Sequence, residues 1–365
     1  MTEKKLAGKT ILMSGGSRGI GLAIALRAAS DGANIALMAK TDTPHPKLEG
    51  TVHTAAEAIR AAGGQALPIV GDVRNDDEVT EAVLKTQGEF GGIDIVINNA
   101  SVIDLSGSLD LAAKKYDLMQ DVNVRGTFML SRAAVPILKG AENPHILSLS
   151  PPLNLSPKWL GAHTGYTLAK YGMTMTTLGL AAEFAADGIA ANALWPRTTI
   201  ATAAVQFALG GDRMMKVSRT PEIYADAAYE VITRPARQYS GQTLIVEDVL
   251  SDAGITDFSG YAAVPGTPTR SSSPISSWTD APRPLARPIA WFHGQLSLPR
   301  QQRIQGHGDH LRQLGDARLT GRRRGGHRHG AQGARPRDHQ LRHGRHLCEH
   351  RRGGRARQGT RRHPA

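Results

Sequence analysis

The stretch Thr10-Ile11-Leu12-Met13-Ser14-Gly15-Gly16-Ser17-Arg18-Gly19-Ile20-Gly21 runs straight into Leu22-Ala-Ile-Ala-Leu-Arg27, and its reading decides the fold. A short apolar run reads as a buried strand, the glycines as a turn, and the alanine- and leucine-rich continuation as a helix. Glycines at 15, 19 and 21 allow a tight turn, close backbone approach to a pyrophosphate, and close packing of helix on strand. A helix starting there aims unpaired N–H groups and its positive dipole end at a phosphate resting on the turn. A glycine trio alone marks any glycine-rich turn. One that follows a strand and opens a helix meets the physical requirement of a dinucleotide site. Ser14, Gly15, Gly16, Ser17, Arg18, Gly19, Ile20 and Gly21 are therefore candidate cofactor contacts, with a plain turn as the alternative.

Downstream, strand candidates at 34–39, 66–70, 93–97, 145–149, 190–194 and 243–246 join the first one at 10–13. Amphipathic helical patterns, such as 54–62 and 76–87, lie between them. Strands alternating with helices imply βαβ units and a parallel sheet covered on both faces. The expected fold class is α/β: a Rossmann-type, doubly wound, seven-stranded parallel sheet in a single domain, residues 1–265, followed by a disordered Arg-rich tail, residues 266–365.

The net charge of +12 is unevenly spread. Residues 266–365 hold 21 Arg, no Lys and 5 acidic residues, a net of +16; residues 1–265 hold 23 basic against 27 acidic residues, a net of −4. Bulk charge therefore selects no nucleic acid for the folded part. The tail has serine, arginine and histidine clusters, frequent Gly and Pro, and no sustained apolar period, so disorder is expected. It reads as an Arg-rich arm for nucleic acid or as a metal tract through His339, His343, His346, Cys348 and His350. It also reads as an out-of-frame translation of GC-rich DNA, which accounts for arginine without lysine. No metal site is expected in the folded part. The single cysteine, Cys348, excludes an internal disulfide framework and fits a reducing compartment. No apolar run approaches the ~18 residues of a membrane span, and no secretory segment is apparent, so a cytoplasmic protein is expected.

The end of the second strand bears on the cofactor. An NAD site calls for an acid there, to bond the ribose 2′-hydroxyl. The sequence reads Ala39-Lys40-Thr41 instead, and Lys40 with Arg18 could embrace a 2′-phosphate. NADP(H) is favoured; Asp42 keeps NAD(H) possible, and Lys40 also reads as a plain surface lysine. Asp72-Val73, after the third strand, offers a carboxylate to an adenine or forms a simple turn.

Tyr166-Thr-Leu-Ala-Lys170 opens a helical stretch. The i, i+4 spacing puts phenol and ammonium on one face, a turn apart. A free tyrosine, with pKa ~10, is a poor acid or base near neutrality. A nearby ammonium favours phenolate and brings the group closer to working pH. Alone, the pair also reads as an exposed helix pair.

With the glycine turn, Asn98-Asn99-Ala100-Ser101, Asn123-Val124-Arg125-Gly126 and Tyr166/Lys170 fall in the order and at the intervals of the short-chain dehydrogenase/reductase family. The chain resembles that family from about residue 9 to about residue 246. The segments 39–47, 145–155 and 192–198 are similar to its hydroxysteroid dehydrogenase-like branch. Animal members of that branch carry a C-terminal sterol-carrier domain, and no stretch here reads as one. The resemblance implies that the glycine turn, Lys40, Asp72 and Val73 hold the adenosine side of NADP(H), with Asn99 and Ala100 beside the cofactor. It implies Tyr166 as acid/base, Lys170 on the nicotinamide ribose, Asn123 positioning a relay water, and Pro196 and Thr198 closing on the nicotinamide. It also implies a homo-oligomer through the helix after the fourth strand and the helix of Tyr166. Ala169 and Gly172 would permit close packing there, or pack within the monomer.

Four departures stand out. Ser14 replaces the usual threonine, Ser101 a glycine, and Arg197 the glycine after Pro196. The carbonyl-orienting serine, about thirteen residues before the tyrosine, is Leu153. Ser150 is the candidate substitute, or else a strand-end serine satisfied by backbone; geometry must decide. Segment 198–225, with Gly210-Gly211 as hinge and Met214-Met215 beyond, reads as a lid suited to a small apolar carbonyl or alcohol, lipid- or steroid-like, or as a surface helix. The expected function is an NADP(H)-dependent oxidoreductase. A weakly active nucleotide-binding scaffold or redox sensor, and nucleic-acid binding by the tail, are the alternatives.

Overall fold

The computed structural model describes residues 4–45 and 49–266. The expected disorder, nucleic-acid arm and metal tract of the tail thus lie outside the described residues. Seven parallel strands among those residues form one sheet: β1 (Thr10–Ser14), β2 (Asn34–Ala39), β3 (Gln65–Val70), β4 (Ile95–Asn98), β5 (His145–Ser148), β6 (Ala190–Trp195) and β7 (Thr243–Ile245). Their order is β3-β2-β1-β4-β5-β6-β7. The chain is thus a doubly wound Rossmann-type α/β fold.

The strands are mostly apolar, with polar residues chiefly at their ends, because both faces of the sheet are covered. Ile11, Met13, Ile35, Leu37, Ile95 and Ile97 point into one core, packed under helices α1 (Gly19–Ala29) and α2 (Val52–Ala61). The alternate residues Leu12, Ala36, Met38, Val96 and Ile146 point into the other. There they meet α3 (Asp76–Phe90), preceded by its cap Asn75, whose side chain accepts from the backbone of Asp77 and Glu78. After β4 come α4 (Ala113–Met119), a wider π-type winding at Gln120–Arg125, and α5 (Gly126–Leu138). After β5 come α6 (Pro157–Ala162) and α7 (Thr164–Glu183), which carries Tyr166 and Lys170.

Between β6 and β7 lie a π-type winding at Val205–Leu209, α8 (Gly211–Val217) and α9 (Pro221–Ile232); α10 (Val246–Asp252) follows β7. The lid expected over 198–225 ends early. Proline starts α9 at residue 221, and Ile223, Tyr224 and Ala225 are buried in the core. Gly172 packs within the chain: a Cβ there would lie 2.6 Å from Val124 Cγ2. No helix among the described residues is long and apolar enough to cross a membrane. Strand order reverses between β1 and β4, whose last residues Ser14 and Asn98 are register partners. Helices leave opposite faces there, and a crevice opens beyond the strand ends.

Candidate active site

The turn after β1 is built around one amide. The Asn99 side chain donates to the Ser14 carbonyl at 3.1 Å, while the Ser14 hydroxyl accepts from the backbone of Asn99 and Ala100, both at 3.2 Å. Asn99 thereby fills the space a side chain at residue 15 or 21 would need. Gly15 sits at φ +77° and a Cβ on it would collide with the Asn99 amide; one on Gly21 would lie 2.6 Å from that amide and 2.7 Å from Gly16 Cα. The glycines at these two positions are steric necessities. Helix α1 then starts with no side-chain cap, so its first-turn N–H groups remain open to an anion.

Arg18 lies along this turn. Its guanidinium donates to the Gly50 carbonyl at 2.7 Å and to the Thr41 hydroxyl at 3.2 Å, and its Nε is buried with no partner. Lys40 Nζ is 3.0 Å from an Asp72 oxygen. Asp72 is also held by Arg74, at 2.6 and 2.9 Å from the same oxygen. Arg74 foremost, then Lys40, keep that carboxyl well below the usual carboxylate range. Lys40 is 64% exposed, so its ion pair is weak and exchangeable for another anion.

At the opposite end, α7 buries Tyr166 and Lys170 on one face. Lys170 Nζ donates to the Leu149 carbonyl at 2.8 Å and lies 5.4 Å from the Trp195 ring centre. Burial lowers Lys170 to about 7 and pushes the Tyr166 phenol up. Desolvation drives the phenol up, and the ammonium a turn away does not offset it. Asn123 is fully buried on the π-type winding; its Oδ1 accepts from Val102 N at 2.8 Å and its Nδ2 donates to the Val102 carbonyl at 3.1 Å. Thr198 Oγ1 is buried without a partner.

A single cavity of about 1120 Å³ joins these ends. Gly15, Gly16, Ser17, Arg18, Gly19 and Ile20 line it at one end, with Lys40, Asp72, Val73, Asn99 and Ala100 alongside; Tyr166, Lys170, Pro196 and Thr198 line the other. Ser14, Gly21, Asn123 and Ser150 do not reach its wall. The first three stand behind it as supports. Ser150 is fully buried with its hydroxyl 2.9 Å from that of Thr174, which also reaches the Pro151 carbonyl at 2.7 Å. Leu153 packs in the apolar cluster of Trp159, Tyr166 and Tyr171.

His163, not among the candidates above, also lines the cavity. Its position three residues before Tyr166, on the same side of the helix start, was the available signal. Its Nδ1 is 2.7 Å from the Leu105 carbonyl. A backbone carbonyl only accepts, so Nδ1 carries the proton. Trp159, Phe207 and Met214 add apolar wall nearby. The glycine cradle, the uncapped helix start and the orphaned Thr198 hydroxyl and Arg18 Nε together fit a dinucleotide with a carboxamide at its far end.

The sequence profile of the short chain dehydrogenase family matches residues 9–208. The chain belongs to the short-chain dehydrogenase/reductase family. It is similar to another short-chain dehydrogenase, whose crystal structure is known from Mycobacterium thermoresistibile, at 59% identity and a TM-score of 0.69, covering 72% of this chain and 93% of that one. A putative dehydrogenase from Xanthomonas campestris is 58% identical at a TM-score of 0.69, covering 71% of this chain and 95% of that one. Hydroxysteroid dehydrogenase-like protein 2 of Danio rerio is 54% identical over 264 residues, 72% of this chain and 63% of the relative. The matched stretch thus spans less than two thirds of that relative's length. Short-chain dehydrogenases/reductases are oxidoreductases that bind nicotinamide cofactors, and the cavity's two ends suit that chemistry.

Proposed function

We propose that this protein moves a hydride between NADP(H) and the carbonyl or alcohol carbon of an apolar, lipid- or steroid-like substrate, with Tyr166 as proton donor and acceptor. The observation that carries the reading is the burial of Tyr166 and Lys170, one turn apart on one face of α7, in the wall of the same cavity that the glycine turn lines. A bound nicotinamide would supply or accept the hydride. The first-turn N–H groups of α1 and Arg18 would hold its phosphates, Lys40 a 2′-phosphate, and the Thr198 hydroxyl the carboxamide. Tyr166 passes a proton to or from the substrate oxygen, and Lys170 sets its electrostatics. Asn123 fixes the loop at Val102 and would support the relay water. Trp159 and Phe207, with Met214, shape an apolar substrate end.

The test mixes the full chain with NADPH, and separately NADH, and a panel of apolar ketones and aldehydes, following absorbance at 340 nm. NADPH consumption that Tyr166→Phe abolishes, while nucleotide binding persists, is the expected result. Reduction that survives Tyr166→Phe overturns the assignment. A second reading, a nucleotide-binding protein with little turnover, draws on Leu153 and the inward-turned Ser150; it predicts tight NADPH binding with no substrate reduced. Exposed Phe128 on α5, with Leu168 and Met175 on α7, supports a homo-oligomer through those helices. A cytoplasmic location is part of the same reading.

A further inference from the structure

The segment 200–218 begins five residues after the end of β6 and returns just before α9, so it is a flap with two necks. The necks are paired with each other. Arg219 N–H donates to the Thr199 carbonyl at 3.0 Å, Ala201 N–H donates to the Arg219 carbonyl at 2.8 Å, and the Thr199 and Ser218 hydroxyls are 2.7 Å apart. Closed ends of this kind fix where the segment begins and ends. The flap's tip contains Gly210 at φ +145° and Gly211 at φ +59°.

One carboxylate touches the return neck at Arg219 and the chain two residues before the outgoing neck, at Arg197. Glu247, in the first turn of α10, accepts the Arg197 backbone N–H at 2.9 Å through Oε2 and the Arg219 guanidinium through Oε1. The Glu247 and Arg219 side chains are 6% and 10% exposed, so water competes little for this bridge. Asp248, the next residue, grips the Arg197 guanidinium at 2.6 and 2.7 Å. Behind the return neck, Ala263 N–H donates to the Ser218 carbonyl and Thr220 N–H to the Tyr261 carbonyl, at 3.0 and 2.8 Å. Between the outgoing contacts lies Thr198, whose buried hydroxyl is unpartnered in the cavity wall.

We propose that Glu247 is a positioning residue that staples the return neck of the 200–218 flap to the chain leading into its outgoing neck, so that the Thr198 wall is preformed and flap motion is confined to the segment around Gly210-Gly211. A carboxylate with two oxygens can hold a backbone N–H before one neck and a guanidinium on the other at once. Glu247→Gln keeps the size but replaces one acceptor with an amide donor facing Arg219. Glu247→Asp keeps the charge and shortens the reach by one methylene, so it holds one of the two at a time.

The first readout needs no cofactor: hydrogen exchange in the full chain at the Ala201 and Arg219 amides, with β1 and α1 amides as reference. Both variants should exchange roughly tenfold faster at the necks, as for a local opening equilibrium shifted tenfold, with the reference amides unchanged. Neck exchange equal to wild type in Glu247→Asp, or acceleration spread equally over β1 and α1, overturns the staple. Should Glu247→Gln fail to fold, Glu247→Asp alone decides. The second readout rests on the proposed cofactor reading. It compares affinity for NADPH with affinity for adenosine 2′,5′-bisphosphate, which lacks the nicotinamide. The staple predicts about tenfold weaker NADPH binding and unchanged bisphosphate binding; equal weakening of both overturns it. A wild-type chain that binds neither ligand sinks the cofactor reading, while the exchange result still judges the staple.

Discussion

Lys170 holds its amine in a dry site, and that should be measurable as a pH-dependent cost to folding. Burial lowers it from 10.5 to about 7. Between those values the unfolded chain keeps the lysine proton and the folded chain sheds it. The unfolded state binds more protons there, so folding becomes more favourable as pH rises. The cost is therefore full below about pH 7 and gone above the unfolded value. At ~1.4 kcal/mol per pH unit, Lys170 costs about 4 kcal/mol at pH 7.5 and about 2 kcal/mol at pH 9. Lys170→Met removes this titration. It also strands the Leu149 carbonyl that Nζ now bonds at 2.8 Å, but that loss does not vary with pH. Urea unfolding of both proteins, followed by circular dichroism at each pH, isolates the difference because other titrations cancel. The stability of wild type relative to the variant should rise by about 2 kcal/mol from pH 7.5 to 9. A difference that stays constant with pH would refute the buried-amine reasoning.

Other variants probe the rest of the cavity. Gly21→Ala pushes a methyl against Asn99 and Gly16, so it should lose nucleotide binding in calorimetry and cost about 1–3 kcal/mol of stability. Lys40→Ala should raise KM for NADPH about fivefold, the ratio for ~1 kcal/mol at an exposed ion pair, and leave KM for NADH unchanged. Ser150→Ala leaves Thr174 bonded to the Pro151 carbonyl, so it should cost about 1 kcal/mol of stability and change kcat less than about twofold. A large loss of kcat without a loss of stability would instead put Ser150 on the substrate.

The sheet was legible because both layers of helices cover it. Strands such as 34–39 are apolar from Ile35 onward, and their alternate residues feed opposite cores. Ends were less legible. The helix expected at 54–62 starts at Val52, because Thr51 and Thr54 form a reciprocal cap. The helix expected at 76–87 continues to Phe90, stopping only at Gly91 with φ +83°. Within the site, the glycine turn and the Tyr166/Lys170 pair are each local in sequence, so they were readable as candidates, though neither spacing alone separated a site from a plain turn or an exposed helix pair. Orientation was not local. Whether Ser150 faces Thr174 or the cavity depends on the register of β5 against α7, which no short pattern encodes. The same holds for Glu247, whose partners are Arg219, 28 residues away, and Arg197, 50 residues away. The isolated residues 247 and 219 look like ordinary surface charges until the fold brings them together. His163 shows the intermediate case: its helical offset from Tyr166 was readable, but its bond to Leu105 was not.

Diffraction from crystals grown with NADP⁺ bears most directly on the central claim, that one cavity sets the Tyr166 phenol opposite a nicotinamide held over the glycine turn. A pyrophosphate is expected on the first-turn N–H groups of α1. The nicotinamide carboxamide is expected at Thr198, with room between nicotinamide C4 and the Tyr166 hydroxyl for one carbonyl, about 3 to 3.5 Å from each. A nicotinamide directed away from α7, or a nucleotide bound elsewhere on the chain, would contradict that claim.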